Sequence, residues 1–412
     1  MTAVQLGRRA VRALQWRVSP SGIRSHYFRT YNARPFRHRP VSLLPDEPRT
    51  GPTLVQVANF APQAGDVVLP VMLRDLFTTR VGDVRWKVRH AHRVVDDKAI
   101  AGFDASAGVV IGGGGLFLSD TNPNPLSGWQ WSCSVEALER ITAPMVVFAV
   151  GYNRFRGQPD FAPIFAEHLT RLARKATYIG LRNTGSIEAV RRYLPEELRD
   201  TVRFQPCMTT LAGLLYPDLA GTGPRAGESG DPLIALNCAF DRSDRRYGDR
   251  KPQTLDAIAA AAKRLSADAR IAFYVHDPTD EEMLPVLERA GVPVEVIRLQ
   301  HEDAASVLRA YRRADVAVGM RGHAQMIPFG CGRPIVSLAS HDKLWFFLDD
   351  IDARDWGIEL TDADVTDRIV DTVRHQLDEP AAAESRVVTA RARLDAITNE
   401  NLTDLATAWG LR

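Results

Sequence analysis

The chain has 412 residues, 45% of them hydrophobic, and a net charge of +2. That size and content allow two hydrophobic cores, and the near-neutral charge removes any global electrostatic argument for nucleic-acid binding. Four cysteines (Cys133, Cys207, Cys238 and Cys331) lie far apart without C-x-x-C spacing, which argues against a disulfide framework or a zinc site and fits a reduced, cytoplasmic setting.

Residues 1–50 read as a basic N-terminal arm. Arg8, Arg9, Arg12, Arg17, Arg24, Arg29, Arg34, Arg37 and Arg39 all precede the first acidic residue, Asp46. Val4, Val11, Leu14 and Val18 fall near one helical face, so the arm suits peripheral contact with an anionic membrane surface, on its inner face for a cytoplasmic protein. A transit peptide has the same composition, and an arm packed on its own protein is the plain alternative. No apolar h-region of a signal peptide is present. The longest apolar runs, such as APMVVFAV at 143–150, are far below the ~20 residues that span a bilayer.

From Thr53 the pattern alternates strands and helices, which implies parallel sheets. In a first domain, 51–215, TLVQVANF is a buried strand and VVLPVMLRDLF a helix. The turn between them carries Asn59, Gly65 and Asp66, where Asp66 either caps the helix or meets a ligand. After the basic stretch WKVRHAHRVV comes the strand GVVIGGGGLF, whose glycines, Gly113 and Gly114 among them, predict a turn offering backbone amides to a sugar oxygen or an anion. APMVVFAVGY is a third core strand, PIFAEHLTRLARKA a helix and TYIGLRN a short strand ending at Arg182. Thr184 or Ser186 is the expected cap of the helix that follows. The Gly- and Pro-rich stretch 216–232 reads as a linker.

The second domain, 233–380, repeats the alternation, and 381–412 reads as a helical tail. PLIALNCA, ARIAFYVHD, VPVEVIRL and DVAVGM are its strands. His276 follows the second of these, in contact with a ligand or simply packed in its loop. DVAVGM and a later run, IVSLA, place Arg321 and His323, then His341 and Lys343, at one carboxyl edge, where open α/β sheets bind ligands. Lysine is scarce, with six against 46 arginines, so Lys343 at a strand end stands out. A guanidinium, two imidazoles and an ammonium suit an anionic substrate that needs a proton moved. The expected fold is α/β: two Rossmann-like domains facing across a cleft in a GT-B-like arrangement, with the basic arm and the helical tail.

The N-x(5)-G-D loop, the GGGG turn, IGLRNTGSIEAVRRYL and MRGHAQMIPFGCGRPIVSLASHDK together resemble the polysaccharide pyruvyltransferase family. The resemblance runs from about Thr53 to Lys343 and implies transfer of a pyruvyl group from phosphoenolpyruvate onto a sugar, free or lipid-linked, as a ketal. It implies His323 and Arg321 as catalytic residues. Arg182, Lys343, His341, His276, Gly113, Gly114, Asn59 and Asp66 are then substrate-binding. Asn183 stands where the family has Asp, and QPCMTTL replaces an expected Asp-containing segment. The chemistry demands no cofactor beyond the donor, and no ligand-spaced cluster offers a metal site. Two alternatives share these features: a GT-B glycosyltransferase using a nucleotide sugar, with Asp349, Asp350 and Asp352 as its acidic residues, and a non-catalytic sugar- or phosphate-binding protein.

Overall fold

A computed structural model describes residues 42–119, 124–221 and 230–411. The basic arm up to residue 41, and residues 222–229 of the expected linker, lie outside them. Two six-stranded sheets carry the fold. The first holds β1 (Thr53–Ala58), β2 (Arg85–His90), β3 (Gly108–Phe117), β4 (Met145–Tyr152), β5 (Ala176–Leu181) and β6 (Val202–Phe204), in the order β2-β1-β3-β4-β5-β6. The second holds β7 (Leu233–Asn237), β8 (Arg270–Val275), β9 (Val294–Arg298), β10 (Val316–Gly319), β11 (Ile335–Ala339) and β12 (Gly357–Glu359), in the order β12-β11-β10-β7-β8-β9. Every pairing is parallel. Strand order reverses between β1 and β3 and between β7 and β10, and such switch points open a crevice at the carboxyl ends of the strands.

Parallel strands need crossovers, and helices supply them. Those of eight residues or more are α1 (Ala64–Arg80), α2 (Asp97–Asp104), α3 (Pro163–Lys175), α4 (Thr184–Arg191), α5 (Lys251–Leu265), α6 (Ala304–Arg312), α7 (His323–Gly330), α8 (Asp342–Asp350), α9 (Val365–Asp378) and α10 (Pro380–Ala408). The central strand β4 is buried along its whole length, as an apolar run covered by helices on both faces must be. By contrast β2, with sequence RWKVRH, is largely exposed and pairs only with β1. As an edge strand it has no need of an apolar run.

One apolar cluster belongs to both halves: Leu69, Met72 and Phe77 of α1 join Leu308 and Tyr311 of α6 and Ile327 and Phe329 of α7. The tail α10 reinforces this junction. Its Leu394, Leu402 and Leu405 enter the same cluster, Arg391 donates to the Gly330 carbonyl at 3.1 Å, and Asn401 donates to the Phe204 carbonyl at 2.8 Å. Of the expected linker, Pro217–Ala220 is a helical turn, and Tyr216 is buried with its hydroxyl donating to Asp75 at 2.6 Å.

Candidate functional site

Residues at the carboxyl ends of β1, β3, β4 and β5 build one wall of the cleft. After β1, Asn59 Nδ2 donates to Asp66 Oδ2 at 2.9 Å. Asp66 sits in the first turn of α1 and is only partly exposed. Burial lifts its carboxyl to about 7, against the opposing pull of Arg182, the Asn59 bond and Arg321. The four glycines of GGGG lie within β3 rather than in a turn after it, because the ladder to β4 continues to Phe117 across a register shift. Gly113 and Gly114 have φ of 79° and 88°, which glycine adopts without strain. A Cβ on Gly114 would lie 3.9 Å from Asp66 Oδ1, and one on Gly115 would collide with the Asn153 amide.

Arg182 follows β5 and is 5% exposed. Its guanidinium lies against Gly151, where any side chain would displace it. Nε has no hydrogen-bond partner, and among the described residues no carboxylate pairs with it. Burial lowers its pKa, while Cys207 and Asp66 act to raise it. The cap of α4 is Asn183, one residue before Thr184 and three before Ser186, the two expected caps: its side chain accepts from the Ser186 amide at 2.8 Å. Asn183, which departs from the family pattern, thus holds the helix that starts beside Arg182.

The opposite wall follows β7, β8, β10 and β11. Since β10 and β11 are parallel neighbours, Arg321, His323, His341 and Lys343 do reach one edge. Arg321 donates through Nε to Asp280 Oδ2 at 3.0 Å and through Nη2 to Asp280 Oδ1, and its Nη1 meets Asp241 at 2.7 Å. Against the cost of burial, those two carboxylates hold it charged. Asp280 and Asp241 engage its fork, so Arg321 pins the loop that delivers His323. His341 caps α8, its Nδ1 accepting from the Lys343 amide at 3.2 Å. His276 Nε2 bonds the Tyr311 hydroxyl at 2.6 Å, and burial, aided by Arg321, lowers its pKa to about 3.

His323 opens α7 and crosses the cleft, with its ring against Gly65 of α1. A side chain at position 65 would occupy the space of the imidazole. Nε2 is buried without a partner. Burial first, then Arg182, His276, Lys343 and Arg321, push its pKa well below the usual histidine range. Lys343 Nζ reaches Asn153 Oδ1 of the first wall at 3.3 Å, and burial with Arg246 and Arg182 pushes its pKa far down. Phe155 of the loop after β4 lies among cations, with Arg242 at 5.0 Å, Arg246 at 5.3 Å and Lys343 at 5.8 Å from its ring. Next to it Arg156 spans the cleft, with Nε to Asp342 at 2.6 Å and Nη2 to Glu359 at 3.0 Å.

Sequence reasoning missed Asp241, Asp280, Asn153, Phe155 and Arg246. All follow the carboxyl ends of β7, β8 or β4, so the rule that picked out Lys343 would have reached them. Among the described residues no group of three or more His, Cys, Asp or Glu is placed to hold a metal ion.

A family model described as polysaccharide pyruvyl transferase matches residues 24–342. Among curated proteins, none matches the sequence. Anabaena HepE in complex with UDP is similar in structure, with 10% identity and a TM-score of 0.51 over 86% of this chain and 100% of that one. The S. aureus MnaA–UDP structure has 11% identity and a TM-score of 0.49 over 82% and 91%. At such identity the HepE likeness shows a common fold of two Rossmann-like halves.

Proposed function

The chain belongs to the polysaccharide pyruvyl transferase family, and from that premise we propose that it moves a pyruvyl group from phosphoenolpyruvate onto the hydroxyls of a sugar, in a polysaccharide or its precursor, as a ketal. The observation that carries this reading is Arg182. A buried guanidinium without a carboxylate partner is costly, and that cost is relieved when an anion enters. Phosphoenolpyruvate brings a phosphate of about −1.5 to −2 charge together with a carboxylate. Lys343, from the opposite wall, is the second cation suited to it. The N-termini of α1, α4, α7 and α8 all begin at this edge, and helix N-termini favour anions.

The nucleotide-sugar alternative relied on Asp349, Asp350 and Asp352. Each is engaged elsewhere: Asp349 by Arg354 at 2.6 Å, Asp350 by Thr184 at 2.7 Å, and Asp352 by Arg393. That favours the pyruvyl reading. Incubating the protein with phosphoenolpyruvate and a panel of oligosaccharides should release phosphate only when both are present. Phosphate release absent with every acceptor, together with no calorimetric binding of phosphoenolpyruvate, refutes the proposal.

A further inference from the structure

Ketal formation from phosphoenolpyruvate, the reading on which this inference rests, needs two opposite proton movements. The donor's methylene carbon must gain a proton, and each attacking hydroxyl must lose one. The cleft holds two titratable side chains, one from each wall, suited to such a division. Asp66 has one oxygen fixed by Asn59, and its other oxygen faces Gly114, where no side chain intervenes. The His323 ring lies against Gly65, the residue next to Asp66, and its Nε2 is buried with no partner. Among the described residues, no hydrogen bond engages Asp66 Oδ1 or His323 Nε2, one on each wall of the cleft.

We propose that proton transfer is divided between these two groups: the Asp66 carboxyl protonates the methylene carbon of the donor, and the neutral His323 imidazole takes the proton of the first attacking hydroxyl. The surroundings agree with that division. Burial raises the Asp66 carboxyl to about 7, so a large share is protonated near neutrality, with Asp277 helping and Arg182 and Arg321 opposing. Burial and the cations Arg182, Lys343 and Arg321, together with His276, keep His323 unprotonated. Two titratable groups pushed in opposite directions by their environments are the usual signature of an acid and base pair.

The steps balance. The Asp66 O–H bond breaks as a C–H bond forms at the methylene carbon. The first hydroxyl oxygen bonds to C2, and its proton passes to His323 Nε2. The C2–O bond to phosphate then breaks, and phosphate leaves with the proton from His323. The second hydroxyl closes the ketal on C2 and returns its proton to Asp66. Both side chains end as they began.

The test compares phosphate release by wild type, Asp66→Asn and His323→Gln from about pH 5 to about 9. Wild-type kcat/KM should fall as pH rises through about 7, where Asp66 loses its proton. Asp66→Asn should lose ~10²-fold or more in turnover and show no such alkaline fall in its residual activity, while calorimetry finds phosphoenolpyruvate still bound. His323→Gln should lose comparable turnover but keep the alkaline fall. Near-normal turnover in Asp66→Asn, or an alkaline fall that vanishes in His323→Gln instead, overturns the division. Should Asp66→Asn not fold, Asp66→Glu replaces it: a longer carboxylic acid keeps partial turnover with the alkaline fall, and full loss of activity in a folded, donor-binding Asp66→Glu counts against the proposal. A wild type that releases no phosphate from phosphoenolpyruvate refutes the family-derived reaction itself, a different result from a wrong assignment of its acid.

Discussion

A methyl group at position 65 would stand where the His323 ring now lies, and this makes a single glycine answerable for the placement of a side chain from the other half of the molecule. Gly65 lies in the first turn of α1 and carries no positive φ, so alanine suits the backbone and gains up to ~1 kcal/mol of helix propensity. Gly65→Ala should therefore stay folded but melt somewhat lower, since overpacking against the buried ring costs ~1–3 kcal/mol, and lose on the order of 10²-fold in turnover because the imidazole is displaced. Thermal melting and a phosphate-release assay on the same preparation check both halves of that expectation. Arg182→Lys keeps a charge but not the planar fork. With charged hydrogen bonds worth ~1.5–3 kcal/mol, calorimetry should find phosphoenolpyruvate bound ~10- to 100-fold more weakly. At this scale Arg182 stood out only through the family resemblance, whereas the strand-end rule put His323 and Lys343 at the cleft edge from sequence. It could not tell an available arginine from a committed one: Arg321 is saturated by Asp280 and Asp241, and neither carboxylate is near it in sequence. Distance across the fold decides that, and no local pattern records it.

Asp350, in the last turn of α8, accepts from the Thr184 amide at 3.2 Å and from its hydroxyl at 2.7 Å, and so ties α8 of the second half to the start of α4 in the first. Burial raises its carboxyl from 3.8 to about 7, outweighing the Thr184 bonds. The folded protein therefore holds this proton more tightly than the unfolded chain does. The contribution is complete below pH 3.8 and is lost as pH rises through about 7, at a slope of up to ~1.4 kcal/mol per pH unit. Urea titrations between about pH 5 and 8 should show Asp350→Asn gaining on wild type as pH rises; parallel curves would exclude the effect. Element types were widely legible because buried parallel strands are continuous apolar runs: β1, β4, β7, β8, β10 and β11 all read correctly. β2 did not, since an edge strand tolerates the basic, exposed sequence RWKVRH. β6 has three residues, too few to show a period. The GGGG run reads as a turn because glycine permits positive φ and close backbone approach, whereas here Gly112 and Gly115 pack so closely on Phe148 and Asn153 that only glycine keeps the ladder intact.

Across the whole molecule, α10 and the shared apolar cluster bind both halves into one cooperative body. Leu402 and Leu405 have no exposed surface, so alanine at either position should cost ~2–5 kcal/mol. Tryptophan fluorescence and far-ultraviolet circular dichroism should still report a single coincident transition in urea, and two separated transitions would show that the halves unfold independently. The basic arm lies outside the described residues; if it docks on an anionic membrane, deleting the residues before Val41 should reduce co-sedimentation with anionic vesicles, most clearly at low salt. The Arg156 clasp has a kinetic consequence. Its contacts to Asp342 and Glu359 are exposed ion pairs, which salt weakens, while capture of the proposed anionic donor by the cations behind Phe155 would also be slowed by salt. Ionic strength therefore acts on traffic through the cleft in two opposing ways, hindering arrival and hastening departure. Where product release limits turnover, the wild-type rate should pass through a maximum at intermediate salt, and Arg156→Ala, already unclasped, should show only a steady decline.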